Sequence, residues 1–453
     1  MRIAIVAVWL LLCVGCRDKF LDVKPDSNII NPSTVEDLQN LLDNTGTVNR
    51  SPSLGTISAD EYYYADEATF LSAPAPERNA YIWAANIYTS PEGVDWSIPY
   101  KQIFIANTVL DIIRSIPDTE KDLREGKLVR GHAYFVRGFA FFNLLTTFSK
   151  AYNATTASTD LGIPLKLSPI VENIEQRSSV EDSYRQVFSD LQTAIRLLPD
   201  DRPTQYRNRP SKSAVYALLS RICISMRRYD DALLYSDSCL SLYDQLIDYN
   251  TLNPNINVPF SPVNDENMCS YTQLSYNTML SYTGYYKIKI DSNIYNAYDG
   301  NDLRKNIFYK IDPISKKPSL KVGMGGGLTP YSGLATDEVL LNKAECLARK
   351  NRNEEALAII NKLLSKRYKS GTFIPIPLPG NMLELVFSER KKELVFRGTR
   401  WTDIKRLNLE SAPITLRRKV GTQNYTLQPN SPLYILPIPE GEITTTGIKQ
   451  NER

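Results

Sequence analysis

The residues best placed to do chemistry are a thiol near the start of the chain and a pair of carboxylates near its end. Cys16 follows an apolar run, Ile3 to Leu12, that begins behind Arg2 and closes on the small pair Val14-Gly15. The run is shorter than the roughly 20 apolar residues that a spanning helix needs. It therefore reads as a signal peptide, residues 1–15, removed in the mature protein. A cysteine at that cleavage point is the mark of a bacterial lipoprotein. Acyl chains on the thiol would anchor the protein to a membrane surface, and more than one chain makes such an anchor stable.

The carboxylates are Glu389 and Glu393. With Arg390, Arg397 and Arg400 they recur at three- and four-residue steps, a spacing that favours ion pairs between successive helical turns. An acid/base pair needs one carboxyl with a raised pKa. The flanking arginines work against that, so the block reads as a structural ion network. His132, the only histidine, stands inside a helical pattern and reads as structural. One histidine rules out multi-histidine zinc sites. Asp299, Asn301 and Asp302 lack the ligand spacing of a calcium loop and read as a turn. Gly323 to Gly327 has no Lys-Ser/Thr after it and reads as a loop. No cofactor and no metal are expected.

Aromatic side chains offer a different chemistry, the stacking of sugar or peptide faces. One cluster is Asp60-Glu61-Tyr62-Tyr63-Tyr64, followed by Asp66, Trp83 and Tyr88. The other holds Tyr271, Tyr276, Asn277, Tyr282, Tyr285 and Tyr286. Asp60, Tyr62, Tyr63, Tyr64, Trp83, Asn277, Tyr282, Tyr285 and Tyr286 are the candidate ligand-binding residues. Both clusters are expected on loops that converge on one face. About half of these tyrosines are expected to be packing residues, because Tyr is intermediate in burial.

Helices must position those loops. Val129, Ala133, Val136, Ala140 and Leu144 form one helical stripe. Val180 to Leu198 forms a second, opened by Ser178 and Glu181 at capping-box spacing. Ser211 to about Tyr243 and Asp337 to about Tyr368 are alike in register: Ser220 precedes Ala232, and Ala344 precedes Ala356, by the same step across a break. Small residues at that spacing are how tetratricopeptide helix pairs pack closely. Cys223, Cys239 and Cys346 fall on apolar helical positions and read as buried thiols.

The 453 residues are 42% hydrophobic and 23% charged, with a net charge of +3 that becomes +2 without residues 1–15. This is a globular composition. It gives no reason to invoke nucleic acid. No second long apolar run follows the first.

The order of motifs along nearly the whole chain resembles the SusD/RagB family of outer-membrane nutrient-binding lipoproteins. Cys16 is followed by Phe20-Leu21-Asp22 and Pro25. Trp96, Tyr100, Ile103 and Ala106-Asn107 come next, then Ala133-Tyr-Phe-Val-Arg137-Gly138, with Gly138 where the family has Ala. Asn301-Asp302-Leu303-Arg304 is similar to the family's mid-chain turn. Glu389-Arg390…Glu393-Leu394 leads into Arg397-Gly398…Arg400-Trp401…Asp403, and Pro437-Ile-Pro439…Glu442 leads into Gln450-Asn451 at the close.

The resemblance implies a mostly α fold: a helical scaffold of four divergent tetratricopeptide-type helix pairs, with long irregular loops and a few short strands. Residues 16–453 would form one domain, with an N-terminal part to about 250 and a C-terminal part from about 251. It implies no covalent chemistry. The protein would be lipid-anchored at the outer membrane and face the cell surface. There it would capture a glycan, or in some members a peptide, and hand it to a TonB-dependent, SusC-like transporter. Two rival readings are a surface glycoside hydrolase, which needs two carboxylates about 5–9.5 Å apart across a groove, and a helical-repeat adaptor that binds only protein.

Overall fold

A computed structural model describes residues 32–276, 287–321, 323–327, 329–411 and 413–453. Cys16, Asn277, Tyr282, Tyr285 and Tyr286 lie outside the described residues.

The architecture is helical. After α1 (Val35–Leu42) come α2 (Val94–Ile112), α3 (Arg124–Phe148), α4 (Val180–Leu197), α5 (Lys212–Ser225), α6 (Tyr229–Leu242), α7 (Thr336–Arg349), α8 (Asn353–Ser365), α9 (Met382–Glu393) and α10 (Arg400–Leu407). α3 packs against both α2 and α4, α5 against α6, α6 against α7, and α7 against α8 and α9. The sheets among the described residues are two-stranded. Three strands concern the site directly: β1 (Tyr62–Tyr64), β2 (Ile288–Ile290) and β3 (Leu416–Val420). β3 forms a hairpin with β4 (Gln423–Leu427).

α3 is buried along most of its length, so the stripe expected at Val129 to Leu144 is one face of a helix with few exposed faces. Gly138 explains how α4 comes so near: a Cβ there would stand 3.2 Å from Leu191. The cap of α4 falls one residue later than its spacing suggests. Ser179, not Ser178, accepts from Asp182 N at 3.0 Å. Ser178 is taken by the Ile163 carbonyl, and Glu181 accepts from the Tyr152 hydroxyl at 2.7 Å.

The two matching helix pairs are matched in detail. Ser220, Ala232, Ala344 and Ala356 are fully buried. Ser220 Oγ lies 2.8 Å from Ser236 Oγ and accepts from Asn342 Nδ2 at 3.0 Å, which ties the first pair to the second. Each pair turns on one residue in the left-handed region, Arg227 at φ 61° and Asn351 at φ 59°. The amide three residues past each helix then reaches back, Arg228 N to Cys223 O at 2.8 Å and Arg352 N to Leu347 O at 2.9 Å. This closes the helix end with the six-to-one bond of a Schellman turn.

One hydrophobic core runs from Leu54 to Ile448 and draws on both halves of the chain. The family-like motif residues are its struts. Arg137 makes two bonds to Asp190, at 2.8 and 2.6 Å, and a third to Asn107 Oδ1 at 2.9 Å. Asn107 holds the carbonyls of Lys166 and Ser168. Asn451 donates to the carbonyls of Phe148 and Leu436, both at 2.9 Å. Trp96 packs edge-on to Phe148, and Trp401 packs on Tyr434. Cys223, Cys239, Cys269 and Cys346 are free and buried. His132 is buried with Nδ1 3.3 Å from Gln39 Nε2, and loss of hydration lowers its pKa to about 4.

Candidate functional site

The first aromatic segment folds as β1, and its partner is β2, which follows the second segment in sequence. Tyr62 pairs with Ile290 and Tyr64 with Ile288 in antiparallel register. Ala65 N then donates to Lys287 O at 3.0 Å. This ladder brings residues 287–290, which follow the second segment, against the first.

Strand alternation sorts the tyrosines. Tyr62 and Tyr64 point inward and are 3% and 6% exposed, whereas Tyr63 is half-buried. Tyr62, Tyr64, Phe70, Tyr81 and Phe396 make ring contacts with centroids 4.8–5.9 Å apart. The Tyr62 hydroxyl donates to Ile57 O at 3.2 Å, and that of Tyr64 to Glu77 Oε1 at 2.8 Å. Trp83 is 4% exposed, and its indole N–H donates to Ser58 O at 2.9 Å. Its backbone is left-handed, φ 56°, a conformation that costs a bulky residue about 1–3 kcal/mol and persists only where surrounding contacts hold it. The expectation that Tyr62, Tyr64 and Trp83 stand exposed as a stacking platform is therefore corrected. Their ring faces are used up in packing. Tyr271, 1% exposed, packs on Phe139, and Tyr276 donates to Asp95 Oδ2 at 2.7 Å, so both are structural as well.

These residues nonetheless meet at a cleft. Asp60, Tyr62, Tyr63, Tyr81, Trp83, Asp291 and β3 residues 416–419 line a space of about 230 Å³. Arg418 forms its floor. Its guanidinium carbon lies 3.7 Å from the Tyr81 ring centroid, 4.9 Å from Trp83 and 5.4 Å from Tyr62. It donates to the carbonyls of Ile57, Ala59 and Tyr81. Lys317 Nζ stands 5.2 Å from the Tyr63 ring centroid. Asp60 is engaged from behind by Arg400, at 2.7 and 2.9 Å, and by Lys391 at 3.1 Å. Burial resists its ionisation, but those two cations outweigh it and hold the carboxyl well below the usual range. Glu61 points the other way, into the protein. Burial carries its pKa to about 8, against the opposing bond from Phe396 N at 3.0 Å.

Sequence reasoning missed Tyr81, Asp291, Arg417, Arg418 and Lys419. The signal for the last three was three cations in a row between Leu416 and Val420, where strand alternation must turn at least one inward. A second, larger cleft of about 440 Å³ was also missed. Lys150, Asn153, Asp160, Lys405, Asn430 and Ser431 are on its walls. Lys405 donates to the Thr146 and Ser149 carbonyls at 2.8 and 2.7 Å, at the C-terminus of α3. Burial lowers its pKa to about 7.

The Glu389 to Asp403 block is buried and fully ion-paired, but not chiefly between turns of its own helix. Arg304, from the mid-chain turn, reaches Glu389 at 2.9 Å, Glu393 at 2.8 Å and Asp302 at 2.6 Å. Arg390 meets Asp403 at 2.7 Å, Arg397 meets Asp337 at 2.9 Å, and Arg400 meets Asp60. Lys392 to Glu389, at 2.5 Å, and Arg406 to Asp403, at 2.9 Å, are pairs that follow helical spacing. Burial opposes the charge on Glu393, yet Arg367 and Arg304 keep it ionised and lower its pKa. Glu266, Asp337 and Glu393 offer oxygens within 4.8 Å of one another, a separation that suits a cation. Arg367 already supplies one, bridging Glu266 at 2.7 Å and Glu393 at 2.8 Å. Asp299 and Asp302 are likewise used within the turn, by Asn301 N and Arg304.

The helical stack, short strands and buried arginine network define one scaffold. Two family models match the chain: one described as "Starch-binding associating with outer membrane" over residues 19–224, and the SusD family over residues 336–452. The chain belongs to the SusD family. It is 24% identical to SusD-like protein P2 of Formosa agariphila over a 410-residue alignment that covers 77% of each chain. Among solved structures, a SusD superfamily protein from Bacteroides thetaiotaomicron superposes with a TM-score of 0.74 at 22% identity, covering 93% of this chain and 100% of that one. A putative sugar binding protein from Bacteroides vulgatus gives 0.74 at 20% identity over 93% and 98%. Surface glycan-binding protein A from Bacteroides uniformis gives 0.70 at 17% identity over 92% and 99%. The mostly helical fold is that of the superfamily. No described helix is long and apolar enough to cross a membrane.

Proposed function

We propose that this protein captures a glycan at the cleft between β1 and β3 and passes it to a TonB-dependent, SusC-like transporter of the outer membrane. Cys16 would carry the lipid that holds it there, with the cleft turned to the cell surface. The observation that carries this reading is the meeting, in a member of the SusD family, of Asp60, Tyr62, Tyr63 and Trp83 at one cleft with Asp291 and the β3 cations. Tyr63 is the ring left to stack on a ligand. Asp60 and the β3 side chains offer polar contacts around it, while Tyr62 and Trp83 shape the floor. Binding takes place without covalent chemistry.

Calorimetric titration with glycans selected on an array tests the reading. Tyr63→Ala should weaken binding by about tenfold, the loss expected when one anchor of a small site is removed, and should leave the melting temperature unchanged. If no carbohydrate binds, or Tyr63→Ala binds like the parent, the assignment fails. Co-purification of an outer-membrane transporter with the full chain from its native envelope tests the partner separately.

A further inference from the structure

We infer that the captured glycan is acidic, carrying carboxylate or sulfate groups that meet the cations of β3. This rests on the glycan-binding reading of the cleft and names its ligand class. The lining contains Arg417, Arg418 and Lys419 in sequence. Arg418 is 8% exposed and is held by carbonyl oxygens and ring faces, with no ion pair to a carboxylate among the described residues. Arg417 and Lys419 are exposed and make no side-chain bond among those residues. Lys317, over Tyr63, adds a fourth cation at the edge.

The neighbouring acids neutralise this group only in part. Asp60 faces Arg400 and Lys391. Asp291 caps a helical turn, accepting from Asn293 N at 3.0 Å and Ile294 N at 3.3 Å. Glu67 lies against the hairpin turn at Gly421 and offsets one charge. Four cations against Glu67 and Asp291 still leave an excess of positive charge in a space with low-dielectric aromatic walls, and such walls focus the field. Three like charges in a row also repel one another. An anion relieves that repulsion, so its binding gains from a strain already present in the free protein. The 230 Å³ volume is below the roughly 300–1,000 Å³ of a site that encloses a drug-sized ligand. It suits one sugar unit seated in the cleft, with the rest of an oligosaccharide lying along the exposed edge of β3.

The experiment presents the full chain to an array of neutral, uronate-containing and sulfated oligosaccharides, then titrates the best of each class. Acidic glycans should bind at least about tenfold more tightly than neutral ones of equal length, with affinity falling as salt rises from about 50 to about 500 mM. Arg417→Ser with Lys419→Ser should erase about tenfold of that preference; both positions are exposed, and a melting curve checks the fold. The uronate and sulfate arms show which group is used. Neutral glycans bound as tightly as acidic ones would overturn this inference and leave glycan capture standing. An acidic preference that survives the double variant would overturn the placement of the charge. Binding of an acidic peptide with no glycan bound would overturn both readings.

Discussion

Arg304 Nη1 donates to Glu393 Oε2 at 2.8 Å, and neither side chain is exposed to solvent. Glu393 also accepts from Arg367 at 2.8 Å. One carboxylate thus joins the mid-chain turn, the end of α8 and α9. Charges so deep are tolerated only because each has partners, and the network is costly to break and weak as net stabilisation.

Glu393→Ala should therefore destabilise the fold by about 3–5 kcal/mol, since it leaves two guanidinium groups short of a partner. Urea titration measures it. Glycan affinity of the folded fraction should be unchanged. An unaltered midpoint with lost binding would make Glu393 part of a site.

Trp83→Ala should cost about 3–5 kcal/mol of stability, as large aromatic truncations in a core do. The side chain packs in a cluster with Trp401, Leu416 and Leu427. A variant that melts like the parent would mean the indole carries no packing.

Glu61 gives a pH signature. Its folded pKa of about 8 lies above the ordinary glutamate value of 4.5. Between those values the folded state binds the proton and the unfolded state releases it. The contribution of Glu61 is whole below pH 4.5 and is lost as pH rises through 8, by at most about 1.4 kcal/mol per unit. Glu61→Gln keeps an acceptor for Phe396 N and removes this contribution. Denaturation at pH 5, 7 and 9 should show the variant gaining on the parent as pH rises. Parallel curves would refute the assignment.

His132 acts in the opposite sense. Its pKa falls from 6.5 to about 4 because burial disfavours the cation. The unfolded chain takes up the proton first on acidification, so this contribution is whole above pH 6.5 and is lost as pH drops towards 4. His132→Asn should flatten the curve in that window alone, as read from melting temperatures at closely spaced pH.

Cys16→Ala should abolish incorporation of a palmitate analogue in growing cells, because the thiol is the proposed attachment point. Equal labelling of both proteins would refute lipidation at Cys16.

The helical frame was legible in the sequence because small residues at a repeated step, as at Ser220, Ala232, Ala344 and Ala356, have few uses other than close helix packing. The arginine block was legible as an ion network in kind but not in partners. Helical spacing points Glu393 along its own helix, whereas burial forces every donor in reach to converge on it, including Arg304 from 89 residues away. The tyrosines were harder. A run of Tyr62-Tyr63-Tyr64 gives no sign of which ring turns inward until a strand partner fixes the pleat. That partner, Ile288–Ile290, is more than 200 residues distant. Arg418 was invisible for the same reason, since its ring partners at Tyr81 and Trp83 come from the other end of the chain.

The hairpin of β3 and β4 separates what holds the protein together from what faces outward. It joins the frame through the inward residues Leu416, Arg418, Val420 and Leu427, while Arg417 and Lys419 answer to nothing inside the protein. Selection can rewrite those two positions without disturbing any helix. On the proposed reading of the cleft, a change of ligand would need new residues on one strand and would leave the rest of the protein intact.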